Sequence, residues 1–130
     1  MAASVVDRLV AAINTHDLDA LVSCFAPDYA VDFPAHPGRG FTGPDHVRRN
    51  WEALFAKYPG MRATVTARVE SGNEIWGEWE FRGDDGAAPE FWQRGVIVVV
   101  AEGDAIGQAR FYMEPVGRTL PDDPAGRPER

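Results

Sequence analysis

The residues best equipped for chemistry lie together between Asp104 and Glu114. This stretch follows the valine-rich run Gly95–Ala101 across the turn Glu102-Gly103-Asp104, and its composition predicts a strand. Side chains on a strand alternate between faces. One face would carry Ile106, Gln108, Arg110, Tyr112 and Glu114, and the other Ala105, Gly107, Ala109, Phe111 and Met113. The first face gathers an amide, a guanidinium, a phenol and a carboxylate. A carboxylate can take a proton, a phenol can donate to developing oxyanion charge, and a guanidinium can hold an enolate or a carboxylate. Facing a hollow, that line would be the wall of a site. Facing water, it would be an ordinary solvated edge with Arg110 and Glu114 as an ion pair. The residues alone leave both orientations open.

Other chemistry is scarce. The three histidines, His16, His36 and His46, do not share a helix face at metal-ligand spacing, and there is no paired-cysteine motif, phosphate-cradling glycine loop or Gly-x-Ser-x-Gly elbow. No metal, nucleotide or other cofactor is therefore expected. His36, in the long Gly/Pro-rich loop Pro34–Gly43, is either an exposed loop residue or an acid–base group at a pocket mouth. His16 reads as a solvated turn residue. Glu78 and Glu80 read as outward-facing partners of Arg62 or Arg68. Arg94 is the only permanent charge in the run Phe91–Ala101. It could point to a concave side or snorkel at the strand end.

The composition narrows the function class. The chain has 130 residues, enough for one domain with a real core. A net charge of −7 argues against nucleic acid and anionic membrane surfaces, which need a basic patch. The single cysteine, Cys24, excludes an intrachain disulfide and fits the cytoplasm. No apolar run reaches membrane-span length, and the N-terminus lacks the pattern of a signal peptide.

The positioning elements are then helices followed by strands. Ser4 can cap an amphipathic helix with Val5, Leu9, Ala12 and Ile13 on one stripe. Asp17 can cap a short second helix with Leu18, Leu21, Val22 and Phe25 inward. After the break at Pro27-Asp28, Tyr29, Val31 and Phe33 alternate as a short strand. Pro44 and Asp45 suit the first turn of a third helix, with Val47, Trp51, Leu54, Phe55 and Tyr58 on one face. Met61–Glu70 alternates as a half-buried strand with Met61, Ala63, Val65, Ala67 and Val69 inward. Ser71-Gly72-Asn73 then turns into a strand with Ile75, Gly77, Trp79 and Phe81 inward. Arg82–Pro89 reads as a loop. Phe91–Ala101 is apolar on both faces, so periodicity cannot orient it. Residues 1–116 form the domain. Residues 117–130, proline-rich with little to bury, are expected to be a flexible tail.

The run Leu9 to Val31, reading LVAAINTHDLDALVSCFAPDYAV, resembles the opening of the nuclear transport factor two-like superfamily. That superfamily includes ketosteroid isomerase, limonene epoxide hydrolase and the SnoaL-like polyketide cyclases. The Gly43-Pro44 helix start and the last strand extend the resemblance over about residues 4 to 116. It implies an α+β fold in which a cone-shaped, curved, mixed but mostly antiparallel sheet wraps around three N-terminal helices. It is fairly specific for that fold and poorly specific for activity.

Taken residue by residue, the resemblance is selective. Where ketosteroid isomerase has its base, this chain has Phe33, and its oxyanion groups would fall at Leu9 and near Val96. The Arg-x-Asp pair of the epoxide hydrolase is absent from the corresponding strands, which leaves that activity the least favoured. In the SnoaL-like cyclases the base stands eight residues after the apolar residue of the last turn, which here is Glu114 after Ile106. The lysine of that turn is absent, and Arg110 stands where a tryptophan is usual. The resemblance thus implies an apolar cone with Phe33, Trp51, Trp79 and Phe81 in its lining. His36, Arg94 and Gln108 would be further substrate contacts, with Glu114, Tyr112 and Arg110 as the catalytic set. The ligand would be a small hydrophobic carbonyl-bearing molecule. The reaction would be an isomerisation or cyclisation by proton abstraction next to the carbonyl. The alternative is a non-catalytic binding or dimeric accessory protein. The resemblance also implies a homodimer through the convex sheet face, with Trp76 or Trp92 as its apolar contacts.

Overall fold

The computed structural model describes residues 2–83 and 91–117. The helices are α1 (Ala2–Asn14), α2 (Leu18–Val22) and α3 (Pro44–Lys57), the third following the first two strands. The strands are β1 (Phe25–Asp32), β2 (Phe41–Thr42), β3 (Arg62–Ser71), β4 (Glu74–Gly83), β5 (Phe91–Glu102) and β6 (Ala105–Pro115). They form one curved, unclosed six-stranded sheet in the order β2-β1-β6-β5-β4-β3. β1 runs parallel to β6, and every other pairing is antiparallel. The expected α+β architecture with helices in the hollow of a mixed sheet is thus observed. Most of the loop expected at 82–89, and all but the first residue of the tail expected at 117–130, lie outside the described residues.

Local signals explain most element boundaries. Asp17 caps α2 by accepting a hydrogen bond from the Ala20 amide at 3.0 Å. Pro44 occupies the first turn of α3, Asp45 places negative charge at its positive end, and Lys57 places positive charge at the other. Ser4 does not mark the start of α1, which begins at Ala2. Phe25 is not the last inward residue of α2; it opens β1, which runs through Pro27-Asp28 with a register shift between Phe25 and Ala30. The proline is tolerated where the ladder is already irregular.

The core fills the space between the helices and the concave face of the sheet. Ile13, Leu21, Met61, Ile75 and Ile106 are fully enclosed, each stabilising the fold by roughly 1.5–3 kcal/mol. Asn14 ties α1 to β3 by donating to the Ala63 carbonyl at 3.0 Å and accepting from the Ala63 amide at 2.7 Å. His16, expected in solvent, is instead half-buried. Its ring stacks on Phe55 with centroids 4.2 Å apart, and Nε2 lies 2.9 Å from the Met61 carbonyl oxygen. It holds the turn after α1 against α3 and the start of β3.

A bulge in β3 overturns one half of its expected pattern. The register with β4 shifts between Val65 and Ala67, so Val69 pairs with Trp76. A bulge inserts one residue and reverses the facing of everything after it. Ala63 and Val65 stay on the core side, but Val69 moves to the outer face and is 68% exposed. Arg68, moved the opposite way, reaches Asp7 of α1 at 2.6 Å.

Candidate functional site

The concave face of the sheet and one face of α3 enclose a hollow of about 170 Å³. From α3, Val47, Asn50, Trp51 and Leu54 face it, at the i, i+3, i+4, i+7 spacing of one helix face. From the sheet come Tyr29, Val31 and Phe81, Phe91 and Gln93, Phe111 and Met113. Phe33, Arg39 and Phe41, after β1, complete the rim. Aromatic rings dominate the walls: Phe33 packs on Phe111 with centroids 5.1 Å apart, and Trp51 meets Phe81 edge-on at 5.4 Å. A narrower extension of about 30 Å³ continues toward Leu9, Ile13, Trp79 and Ile106. Of the expected lining residues, Phe33, Trp51 and Phe81 stand at the main hollow, and Trp79 lies deeper, at its apex.

The orientation of β6 is opposite to the one that would make its polar line a cavity wall. Phe111 and Met113 face the hollow, so Arg110 and Tyr112 face the convex side. Tyr112 is 42% exposed there, and the Arg110 guanidinium sits 5.6 Å from the centroid of the Trp76 ring. The register shows the row on that outer face: Trp76, Val98, Arg110 and Asp32 are cross-strand partners in turn. Val98 has no exposed area yet stands outside the main core cluster, because it is covered on the outer face. Gln108 is likewise exposed and absent from the hollow. The physical reason is size. Phe111 and Met113 bury far more apolar surface than the polar line could, and the concave face is where that surface can be buried. A shift in the β5–β6 register between Val100 and Ala101 lets Ile106 join the inward set.

Arg94 resolves to the outer face as well. It is exposed and its Nε lies 3.6 Å from Glu80 Oε2, which also accepts from the Trp92 indole at 2.6 Å. Gln93, one residue earlier, faces the hollow together with Phe91. Glu78 and Glu80 face outward as expected, but their partners are Thr66 and Arg94 rather than Arg62 or Arg68. Gly95 lies between these faces with φ +155°, and a Cβ there would fall 2.1 Å from the Tyr112 carbonyl oxygen. Only glycine lets β5 approach β6 so closely at this point.

His36 and Glu114 meet at the rim. His36 Nε2 lies 2.9 Å from Glu114 Oε2, in a pair more exposed than buried. Neither side chain lines the hollow, but the pair ties the loop after β1 to the end of β6. That loop is further shaped by the His36 amide donating to Phe33 at 2.7 Å and the Arg39 amide donating to His36 at 2.9 Å.

The polar groups that do face the hollow were not singled out by the sequence reading. They are Tyr29, Arg39, Asn50 and Gln93. None of their side chains has a hydrogen bond or ion pair with another described residue. Tyr29 is 2% exposed, and burial pushes its hydroxyl pKa up, so the group stays protonated. No side-chain oxygen or nitrogen among the described residues is sealed in without a partner. The unpartnered Tyr29 hydroxyl therefore keeps some accessible surface, on a residue that lines the hollow. Burial also pushes the Cys24 thiol up, which suits a structural cysteine rather than a nucleophile. Among the described residues no three His, Cys, Asp or Glu side chains could jointly hold a metal ion, and no helix is long and apolar enough to cross a membrane.

A family profile described as a SnoaL-like domain matches residues 6–108. Among curated proteins no sequence matches. Several solved structures share the fold. IdmH from Streptomyces antibioticus, described as a candidate polyketide cyclase, is 20% identical, with 88% of this chain and 92% of that one covered and a TM-score of 0.73. A protein with a ketosteroid isomerase-like fold from Catenulispora acidiphila, solved with trimethylamine, is 21% identical over 83% and 84% of the two chains, with a TM-score of 0.70. A candidate SnoaL-like polyketide cyclase from Shewanella denitrificans is 11% identical over 87% and 90%, with a TM-score of 0.71. At these identities the likeness concerns the fold.

Proposed function

The chain belongs to the SnoaL-like domain family, and on that premise we propose that it binds a small, mostly apolar, carbonyl-bearing molecule in the hollow between α3 and the sheet. The observation that carries this reading is an aromatic-walled space whose deep polar group, the Tyr29 hydroxyl, is protonated and has no protein partner. Such a group is an available hydrogen-bond donor in an otherwise apolar setting. A ligand carbonyl is a suitable acceptor, and the surrounding rings bury the rest of the molecule. The volume bounds the size. An apolar cavity of about 150 Å³ accepts benzene, so a single ring with a short substituent suits the space here.

The test is a chemical-shift titration with acetophenone. Binding is expected, with perturbations at Trp51, Phe81 and Phe111. Asn50→Trp, which places an indole across the mouth from an exposed helix position, should abolish it. Unchanged binding in that variant would put the ligand elsewhere and sink the proposal.

A catalytic reading has one observation in its favour. Glu114 stands next to the cavity residue Met113, at the position the cyclase resemblance marks, and shares a contact with His36. In that reading the ligand lies with its carbonyl end at the rim, turned away from Tyr29, and Glu114, reaching over from outside the hollow, takes a proton from carbon next to that carbonyl. Deuterium exchange into the methyl group of bound acetophenone reports on this step. Exchange that Glu114→Gln stops would support it, and exchange no faster than in buffer would remove it.

The convex face supports a second proposal, that two copies pair through it. Val69, Trp76 and Tyr112, the large hydrophobics exposed among the described residues, all lie on that side of the sheet.

A further inference from the structure

The polar groups around the hollow are unevenly placed. Tyr29 lines both the main space and its narrow apex, so it is the deep group. Arg39, Asn50 and Gln93 line only the outer space, and Arg39 and Asn50 are exposed, so these three mark the mouth. Arg39 is the only cationic side chain at the hollow among the described residues. No carboxylate pairs with it, in a chain where 20 acidic residues outnumber 13 basic ones. Among the other described cations Arg48, Arg68 and Arg94 have acidic partners, whereas Arg49, Lys57, Arg62 and Arg110, like Arg39, form no ion pair with a described residue, so what sets Arg39 apart is its place at the hollow.

The backbone that carries Arg39 is held in place. Arg39 ends a short turn, Pro37–Arg39, closed by backbone hydrogen bonds from Arg39 to His36 and from Gly40 to Pro37. The His36–Glu114 contact fastens the same turn to the end of β6. A guanidinium carried on a fixed backbone turn at the mouth of an apolar hollow, which the Asn50 and Gln93 amides also line, favours an anion over another neutral group.

We propose that the ligand is a small oxo acid, with a carbonyl directed to Tyr29 at the inner end and a carboxylate held by Arg39 at the mouth, assisted by the Asn50 and Gln93 amides. This rests on the binding reading above and adds the charge and the direction of the ligand. His36 and Glu114 are then positioning residues, acting through the turn that carries Arg39.

The experiment compares phenylacetate with phenylacetamide, which share shape and differ in charge, by chemical-shift titration at neutral pH. Because Arg39 is partly solvated, the acid is expected to bind about fivefold more tightly. Arg39→Gln should remove that preference by weakening the acid alone, and added salt should do the same. Equal binding of the two compounds to the wild type, or a preference that survives Arg39→Gln, would overturn this inference while leaving the cavity reading standing. If neither compound binds and acetophenone does not either, the cavity reading falls and takes this one with it.

Discussion

Replacing Tyr29 by phenylalanine separates a hydroxyl kept for a ligand from one kept for the fold. The ring is fully packed, meeting Phe25 edge-on at 4.6 Å and Phe41 at 6.3 Å, and phenylalanine preserves those contacts. The hydroxyl has no partner among the described residues. Its removal should therefore change unfolding free energy by less than about 0.5 kcal/mol, whereas deleting one member of a buried hydrogen bond would cost about 1–3 kcal/mol. Ligand affinity should respond in the opposite manner. A neutral hydrogen bond contributes about 0.5–1.5 kcal/mol net, so acetophenone should bind roughly 2- to 13-fold more weakly. Ethylbenzene, with the same ring and no acceptor, should bind the variant as well as the wild type. Denaturant melts give the first quantity, and parallel titrations of the two compounds give the second. The reasoning is refuted if the variant loses more than about 1 kcal/mol of stability, or if both ligands weaken equally.

Other outcomes follow from the same fold. Gly95→Ala must push a Cβ against the Tyr112 carbonyl, 2.1 Å away, and Met113 Cα, 2.9 Å away. Both are backbone atoms that cannot rotate aside, so a loss of about 2–3 kcal/mol is expected in denaturant melts. Tyr29 also links stability to alkaline pH. Its folded pKa is raised above the ordinary 10.0, so the unfolded chain ionises first and stability falls as the pH climbs past 10, by up to about 1.4 kcal/mol per unit. The same melts on Tyr29→Phe should show a shallower decline. Trp76→Lys on the convex face should halve the mass measured by light scattering if two copies pair there. A wild type that is already monomeric would end the pairing proposal.

The architecture was legible because large-scale signals agree with one another. Amphipathic stripes, the Asp17 cap, the Gly43-Pro44 start and the Gly72 turn each specify one element, and together they specify two helices, a short strand and loop, a third helix and then the long strands. The site was less legible, because strand alternation tells which residues share a face but not which face is concave. For β6 the polar line looked chemical, and the apolar line carrying Phe111 and Met113 decided the orientation by burying more surface. For β3 a single bulge reversed Val69, and nothing in the sequence marks its position. The groups at the hollow did leave traces. Asn50 interrupts the stripe Val47, Trp51, Leu54, and Gln93 is a polar residue on the same side of β5 as Phe91 and Ile97. A polar residue within an otherwise apolar face was a better guide to this hollow than a run of polar residues on one strand.

The central claim is that the concave hollow takes the ligand, with Tyr29 at its inner end. A crystal structure of the protein soaked with acetophenone tests it most directly. The ring should lie between Trp51, Phe81 and Phe111, with its carbonyl oxygen within about 3 Å of the Tyr29 hydroxyl. Density on the convex face over Trp76 and Tyr112, or a hollow that stays filled with water at saturating ligand, would contradict it.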